Sequence, residues 1–198
     1  MNVMEHRLEV YAEDRERLLM TLRRKGIRGW VPAQVLREAI LECGWRIERG
    51  YGVEASVLAL CCPEQRVVHL PIDFRRRLRV PETEGAMLNE TLAQQLGQIR
   101  LNGPDRKRDA DDYARVFLVP LVKLMTRLPM LELLKAEKEM HRWYQLQRLA
   151  LEFRVTVWFL GMTLELYELA HVDQARRRIQ LLPASYELAR RFAFGRLA

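Results

Sequence analysis

Three glutamines at helical spacing, Gln94, Gln95 and Gln98, stand where the chain would most plainly carry chemistry if they were other residue types. On a helix, the pattern His-Glu-x-x-His sets two imidazoles at i and i+4 on one side to hold zinc. The glutamate between them takes a proton from the metal-bound water. Gln94, Gln95 and Gln98 occupy those three places. An amide is a poor zinc ligand beside imidazole, thiolate or carboxylate, and it does not accept a proton near neutral pH. The spacing of a zinc helix is therefore present without its reactive atoms. It predicts no metal, no cofactor and no catalytic residue here, and it leans against an enzyme. The plain alternative is an amphipathic helix with its glutamines in solvent.

The helix around these residues has to position them. At about 100° per residue, Leu88, Leu92, Leu96 and Ile99 share one side and face a core, while Gln94 and Gln98 share another flank with Thr91. Gly97 lies inside the same helix, where glycine costs about 1 kcal/mol against alanine, so a close-packed neighbour is expected there. A short loop leads on to Asp109-Ala110-Asp111-Asp112-Tyr113-Ala114-Arg115-Val116-Phe117-Leu118-Val119-Pro120.

These two stretches together resemble the ImmA/IrrE family of bacterial and phage metallopeptidases. That family reads roughly Thr-Leu-Ala-His-Glu-Leu-Gly-His, then an acidic helix with Ala and Phe-Ala, closing on Leu-Met-Pro. Thr91-Leu92-Ala93, Leu96-Gly97, Ala110, Tyr113-Ala114 and Leu118-Val119-Pro120 match in order and spacing. The resemblance spans roughly residues 30–170, and the diagnostic ligands are the positions that depart from it. It implies an α+β, zincin-like domain with a small antiparallel sheet and a helical C-terminal part. It also implies a degenerate cleft at Gln94, Gln95, Gln98 and Asp109. Asp109 is the nearest acidic match to the family's third zinc ligand, a glutamate on the next helix. The alignment also allows Lys107 at that place, where its charge would stand in for the missing metal.

The remaining elements follow from periodicity and turn chemistry. Residues 5–25 read as an amphipathic helix through Leu8, Tyr11, Leu18, Leu19 and Leu22, packed on the domain or serving as a dimer arm. Pro32 opens a second helix with Val35, Leu36, Ala39 and Ile40 on its apolar face, and Gly44 is its C-terminal cap. Alternation then gives a strand from Trp45 to Gly50, apolar content a second from Val53 to Cys61, and Arg66 to Pro71 makes a third after a turn. Asp73 to Gly85 reads as a loop. From Met130 the chain reads as helical to its end, with one helix closing near Phe153 and Thr156 capping the next. The expected division is a domain over 1–129 and a helical region over 130–198, packed like a helix-turn-helix. Val157, Trp158, Phe159 and Leu160 fill the start of its second helix, where base reading needs polar side chains. That unit therefore reads as a packing module.

Charge and composition narrow the partners. The 198-residue chain carries a net charge of +7, and Arg75, Arg76, Arg77 and Arg79 form its densest positive cluster. Guanidinium groups so close together suit phosphates or carboxylates; the bland reading is a solvated loop. These arginines and Lys107 are the candidate partner-binding residues. Asp173 to Arg178 and Arg190-Arg191 are further basic spots able to touch phosphates without reading sequence. No two of His6, His69, His141 and His171 lie three or four residues apart, so no local zinc site forms, and His69 reads as a strand residue. Cys43, Cys61 and Cys62 do not make a disulfide framework and read as reduced thiols. No run of about 18 apolar residues suggests a membrane span and no signal pattern opens the chain, which predicts a cytoplasmic protein. By resemblance, the function is that of an inactive pseudo-peptidase acting as a regulatory protein-binding module. Its partner would be a helix-turn-helix transcriptional repressor of a stress or mobile-element pathway. A basic nucleic-acid-binding regulatory factor is the alternative.

Overall fold

The computed structural model describes residues 3–22, 30–50, 53–54, 56–80, 83–101 and 107–194. The chain is α+β and divides into two compact units, Met1–Ile27 with Val31–Leu118, and Arg28–Trp30 with Val119–Ala198. The division falls between Leu118 and Val119, ahead of the expected junction at 129/130, because helix α5 (Leu121–Met125) packs against later helices of the second unit. Among the described residues no helix is long and apolar enough to cross a membrane.

The first unit opens with α1 (Val3–Thr21) and α2 (Ala33–Glu42). The expected end of the first helix, 23–25, lies outside the described residues. Pro32 precedes α2 at φ −64°, and Val35, Leu36, Ala39 and Ile40 are its buried face. Gly44 stops the helix at φ +77°. Its N–H reaches the Leu41 carbonyl (2.8 Å) and that of Trp45 reaches Ile40 (3.2 Å), which satisfies two otherwise orphaned carbonyls.

Strand β1 (Arg46–Gly50) follows, then β2 (Leu60–Cys62) and β3 (Val67–Pro71), in the order β1-β3-β2. The sheet is mixed, which corrects the expected antiparallel sheet. β1 runs parallel to β3, and only β2 is antiparallel to it. A parallel pair needs a crossover of a dozen or so residues, and the chain between β1 and β3 supplies it. β3 is central and almost wholly buried, with His69 half-exposed between Glu48 and Leu60. The second strand is shorter than expected because the carbonyls of Val53, Glu54 and Val57 bond the Arg77 guanidinium instead of a ladder.

A 3-10 turn over Phe74–Arg77 leads toward α3 (Glu84–Arg100) and α4 (Lys107–Leu118). α1 packs on α4, which decides between packing and a dimer arm in favour of packing. Its buried stripe is Tyr11, Arg15, Leu18 and Leu19. Arg15 is 1% exposed; its Nε–H donates to the Phe117 carbonyl at 2.7 Å, it pairs with Glu16, and its guanidinium lies over the Phe117 ring.

The second unit holds α5, α6 (Leu128–Lys135), α7 (Glu139–Phe153), α8 (Val157–Leu166), strands β4 (Ala170–Asp173) and β5 (Arg178–Leu181), and α9 (Pro183–Phe194). α7 ends on Arg154 in the left-handed region at φ 53°, and the Thr156 side chain accepts from the Phe159 N–H at 3.1 Å, the cap the sequence predicted. The antiparallel β4–β5 hairpin corrects the expectation of helix to the chain end. Glu168 turns the chain at φ 55°, and the Leu169 N–H closes α8 on the Leu164 carbonyl (2.8 Å). Ala170 and Ile179 then point inward while His171, Asp173, Arg178 and Gln180 are exposed, a period of two.

Candidate functional site

The glutamine helix α3 crosses α4 at Gly97. A Cβ placed on Gly97 would lie 2.8 Å from the Ala110 carbonyl oxygen, 3.0 Å from Ala110 Cα and 3.2 Å from Tyr113 Cδ1. The helices approach closely because residue 97 has no side chain, the close packing expected from the sequence. Leu92 and Leu96 are fully buried and Ile99 nearly so, while Leu88 is only half-buried.

α3 is not an amphipathic helix with its polar residues in water. Asn89, Glu90, Thr91 and Gln95 are buried, with Gln95 6% exposed, and Gln94 and Gln98 are half-buried. Buried polar groups are costly unless they are paired. The Oε1 of Gln95 has no hydrogen-bond partner among the described residues. The amide of Gln94 faces α4 close enough to the Asp111 carboxylate to favour its charged form.

Asp109 does not join this group, which corrects its place in the cleft. Residues two apart on a helix point about 200° away from one another. With Asp111 turned toward α3, Asp109 faces α1, where Arg7 binds it and also holds Asp112 at 2.9 Å. Asp112 in turn accepts from Arg115 at 2.7 Å. Lys107 is exposed at the start of α4, one turn before Asp111, and its charge acts on that carboxylate. The structure thus gathers Gln94, Asp111 and Lys107, turns Gln95 inward and separates Asp109.

Burial pushes the Asp111 carboxyl up; the positive charges of Arg115 and Lys107 and the nearby Gln94 amide only partly offset this, and the Asp112 charge adds to it. A carboxyl whose folded pKa is raised carries a cost when ionised. That cost is fully present above its folded pKa and is gone below its unfolded value near 3.8. Asp111→Asn is therefore expected to be slightly more stable than the natural chain at pH 7. Thermal melts as the pH falls toward 3.8 should show the two converge. A less stable variant at pH 7 would contradict this.

The arginine cluster splits. Arg75, Arg76 and Arg79 are exposed, and Arg75 lies 3.8 Å from Glu84 in a water-exposed pair. Arg77 is withdrawn from the candidate partner surface. Its guanidinium donates to Asp73 Oδ1 (2.8 Å) and to the carbonyls of Glu54 (2.6 Å), Val57 (3.0 Å) and Val53 (3.1 Å). A fork of five donors is suited to gathering loop carbonyls. Arg77→Ala should lower stability by about 2–3 kcal/mol, since charged hydrogen bonds are lost together. Arg75→Ala, Arg76→Ala and Arg79→Ala should each stay within about 0.5 kcal/mol. Urea unfolding of the four variants measures the split.

A second polar cluster pins α1 to the other two helices. Asp14 accepts from Arg100 at 2.9 Å (Nε) and from the Tyr113 hydroxyl at 2.7 Å. Burial pushes the Asp14 carboxyl up, but these hydrogen bonds outweigh it and leave the group below its ordinary value. Burial and the Asp14 charge push the Tyr113 phenol well above the usual range, and burial raises the Cys43 thiol. A saturated carboxylate beside a protonated phenol and thiol holds helices together; it does not supply a base or nucleophile. A dent of about 180 Å³ lined by Tyr11, Asp14, Arg17, Arg100 and Tyr113 opens beside it. Cys61, on β2, is pushed up to about 11, by burial and then by Cys62. All three cysteines are free thiols.

Sequence reasoning missed Asp14, Arg15 and Asp111. Arg15 had a signal, since it stands at the i+4 place between Tyr11 and Leu19 in an otherwise apolar stripe. Among the described residues no three His, Cys, Asp or Glu side chains gather to hold a metal ion. No protein-family model, curated protein or solved structure matches the chain.

Proposed function

We propose that this chain is a catalytically inactive, ImmA/IrrE-like pseudo-peptidase that works as a regulatory protein-binding module in the cytoplasm. Its partner is a helix-turn-helix repressor of a stress or mobile-element pathway, which it holds without cleaving. The observation that carries this reading is the α3–α4 crossing at Gly97, which sets the Gln94 amide against the acidic helix at Asp111. In the resembling family that pair of helices carries the zinc ligands. Here the same places hold an amide, which neither binds zinc well nor activates water.

What remains suits recognition. Gln94, Gln98 and Asp111 offer donors and acceptors at a half-buried surface, and Arg75, Arg76 and Arg79 offer exposed charge for an acidic segment. Among the described residues, the outer edge of β2 pairs with no strand and lies beside α3. An extended segment of the partner adds to such an edge through main-chain hydrogen bonds.

Affinity capture from the native cell lysate, with and without nuclease, tests the reading. The expected result is a helix-turn-helix regulator retained after nuclease treatment and lost when Gln94 and Gln98 are both changed to Lys. Retention that vanishes with nuclease, or that survives the double change, contradicts it.

A further inference from the structure

The geometry points to a second, separate interaction surface on the C-terminal unit: the tip of the β4–β5 hairpin, where Arg176, Arg177 and Arg178 grip the phosphate backbone of duplex nucleic acid without reading its sequence. The inference stands independently of the reading of the first unit.

The hairpin follows a helix-turn-helix, α7 to α8, and lies back along the second helix. The Val172 N–H is held by the Glu165 carboxylate at 3.0 Å. A Cβ on Gly161 would meet Val172 Cγ1 and Gln174 Nε2, each at 3.2 Å. Val172 and the Gln174 side chain therefore both lie against the middle of α8. The returning strand is fixed as well, close to the tip. Arg142, on α7, donates to the Ile179 carbonyl (3.3 Å) and to that of Ala136 (2.8 Å). A firmly seated hairpin therefore carries a tip free to meet a partner.

The tip itself is charged and wet. Arg176, Arg177 and Arg178 are consecutive and all exposed, and Arg177 turns the backbone at φ 55°. Their anionic neighbours hold them loosely: Asp173 lies 3.8 Å from Arg176, and Glu139 lies 3.5 Å from Arg178, all with side chains about half exposed or more. Such pairs are worth little in water and exchange readily for phosphate. The charge of the whole unit has the same sign. Residues 28–30 and 119–198 hold 14 Lys and Arg against 8 Asp and Glu, +6 of the chain's +7.

The kind of partner follows from what accompanies these charges. A protein interface needs an apolar centre that excludes water, and the exposed tip from Asp173 to Arg178 supplies only Ala175 as an apolar residue. A polyphosphate chain needs only arrayed guanidinium groups. The start of α8, Val157-Trp158-Phe159-Leu160, carries no side chain suited to base edges. Contact is therefore with the backbone, and affinity is indifferent to sequence.

Fluorescence anisotropy of the full chain with two unrelated duplexes of about 20 base pairs, between about 50 and 200 mM salt, tests this. Both duplexes should bind equally, and affinity should fall steeply with salt. Changing Arg176, Arg177 and Arg178 together to Gln should weaken binding at least about tenfold and flatten the log–log salt slope by about 3, one per lost phosphate contact. The corresponding Lys variant keeps the charges and should bind within about threefold of the natural chain. Should the hairpin Gln variant melt early, the single changes Arg176→Gln and Arg178→Gln are read instead, each expected to lower the slope by about 1. No duplex binding at low salt, unchanged binding by the hairpin Gln variants, or tighter binding of a labelled polyglutamate peptide than of duplex overturns the proposal.

Discussion

Arg15→Ala is expected to destabilise the first unit by about 3–5 kcal/mol, the largest effect of any single change argued for this chain. The side chain is 1% exposed and fills the α1–α4 contact between Tyr11 and Leu19. Truncation leaves a cavity the size of a long side chain. It also orphans the Phe117 carbonyl, one of the last in α4, which Arg15 satisfies at 2.7 Å. Glu16 contributes little to the loss, because its side chain is 64% exposed and water takes over its solvation. Arg15→Met separates the two causes. It restores most of the volume and leaves the carbonyl unpaired, so it should cost only about 1–2 kcal/mol. Urea unfolding gives the totals, and hydrogen exchange should place the loss in α1 and α4. Equal costs for both variants would mean that packing volume is irrelevant at this position.

Gly97→Ala should be destabilising by about 2 kcal/mol, although alanine is the better helix former by about 1 kcal/mol. The new methyl would sit 2.8 Å from the Ala110 carbonyl oxygen, and a backbone atom cannot rotate away. The helices must part, and Gln94 then leaves Asp111. Partner binding should fall with stability if the crossing shapes the recognition surface. Gly85→Ala, in the first turn of the same helix, has nothing within 4 Å of its new Cβ and should be neutral or stabilising. A stabilised Gly97→Ala protein would show that the helices do not meet as described.

Much of this architecture was legible in the residues. Pro32 and Gly44 delimit α2, Thr156 caps α8, and Gly97 announces a close helix crossing. Each is a local rule of backbone chemistry acting where nothing overrides it. The errors arose where a distant partner decides. Val53 to Cys61 is apolar enough to read as a strand, yet Arg77, some twenty residues on, claims the carbonyls of its first half. The parallel pairing of β1 with β3 is a choice of edge that alternation does not encode. Arg15 broke the apolar stripe of α1 because an arginine in a core is readable only once its carbonyl acceptor is known. At the candidate site, the resemblance favoured Asp109 by alignment, while helix geometry allows only one of Asp109 and Asp111 to face α3, and Arg7 on α1 takes the former. The β4–β5 hairpin was hidden by Ala170 and Ile179, a strand pattern too short to stand out in an apolar region.

The most direct test of the central claim, binding without cleavage, is the intact mass of a captured repressor after prolonged incubation with this protein and added zinc, with and without a chelator. The account predicts an unchanged mass in every condition and a complex that persists in chelator, because Gln94, Gln95 and Gln98 supply neither ligand nor base. Fragments that form with zinc and disappear with the chelator would contradict it, and would place catalytic chemistry in residues other than these three.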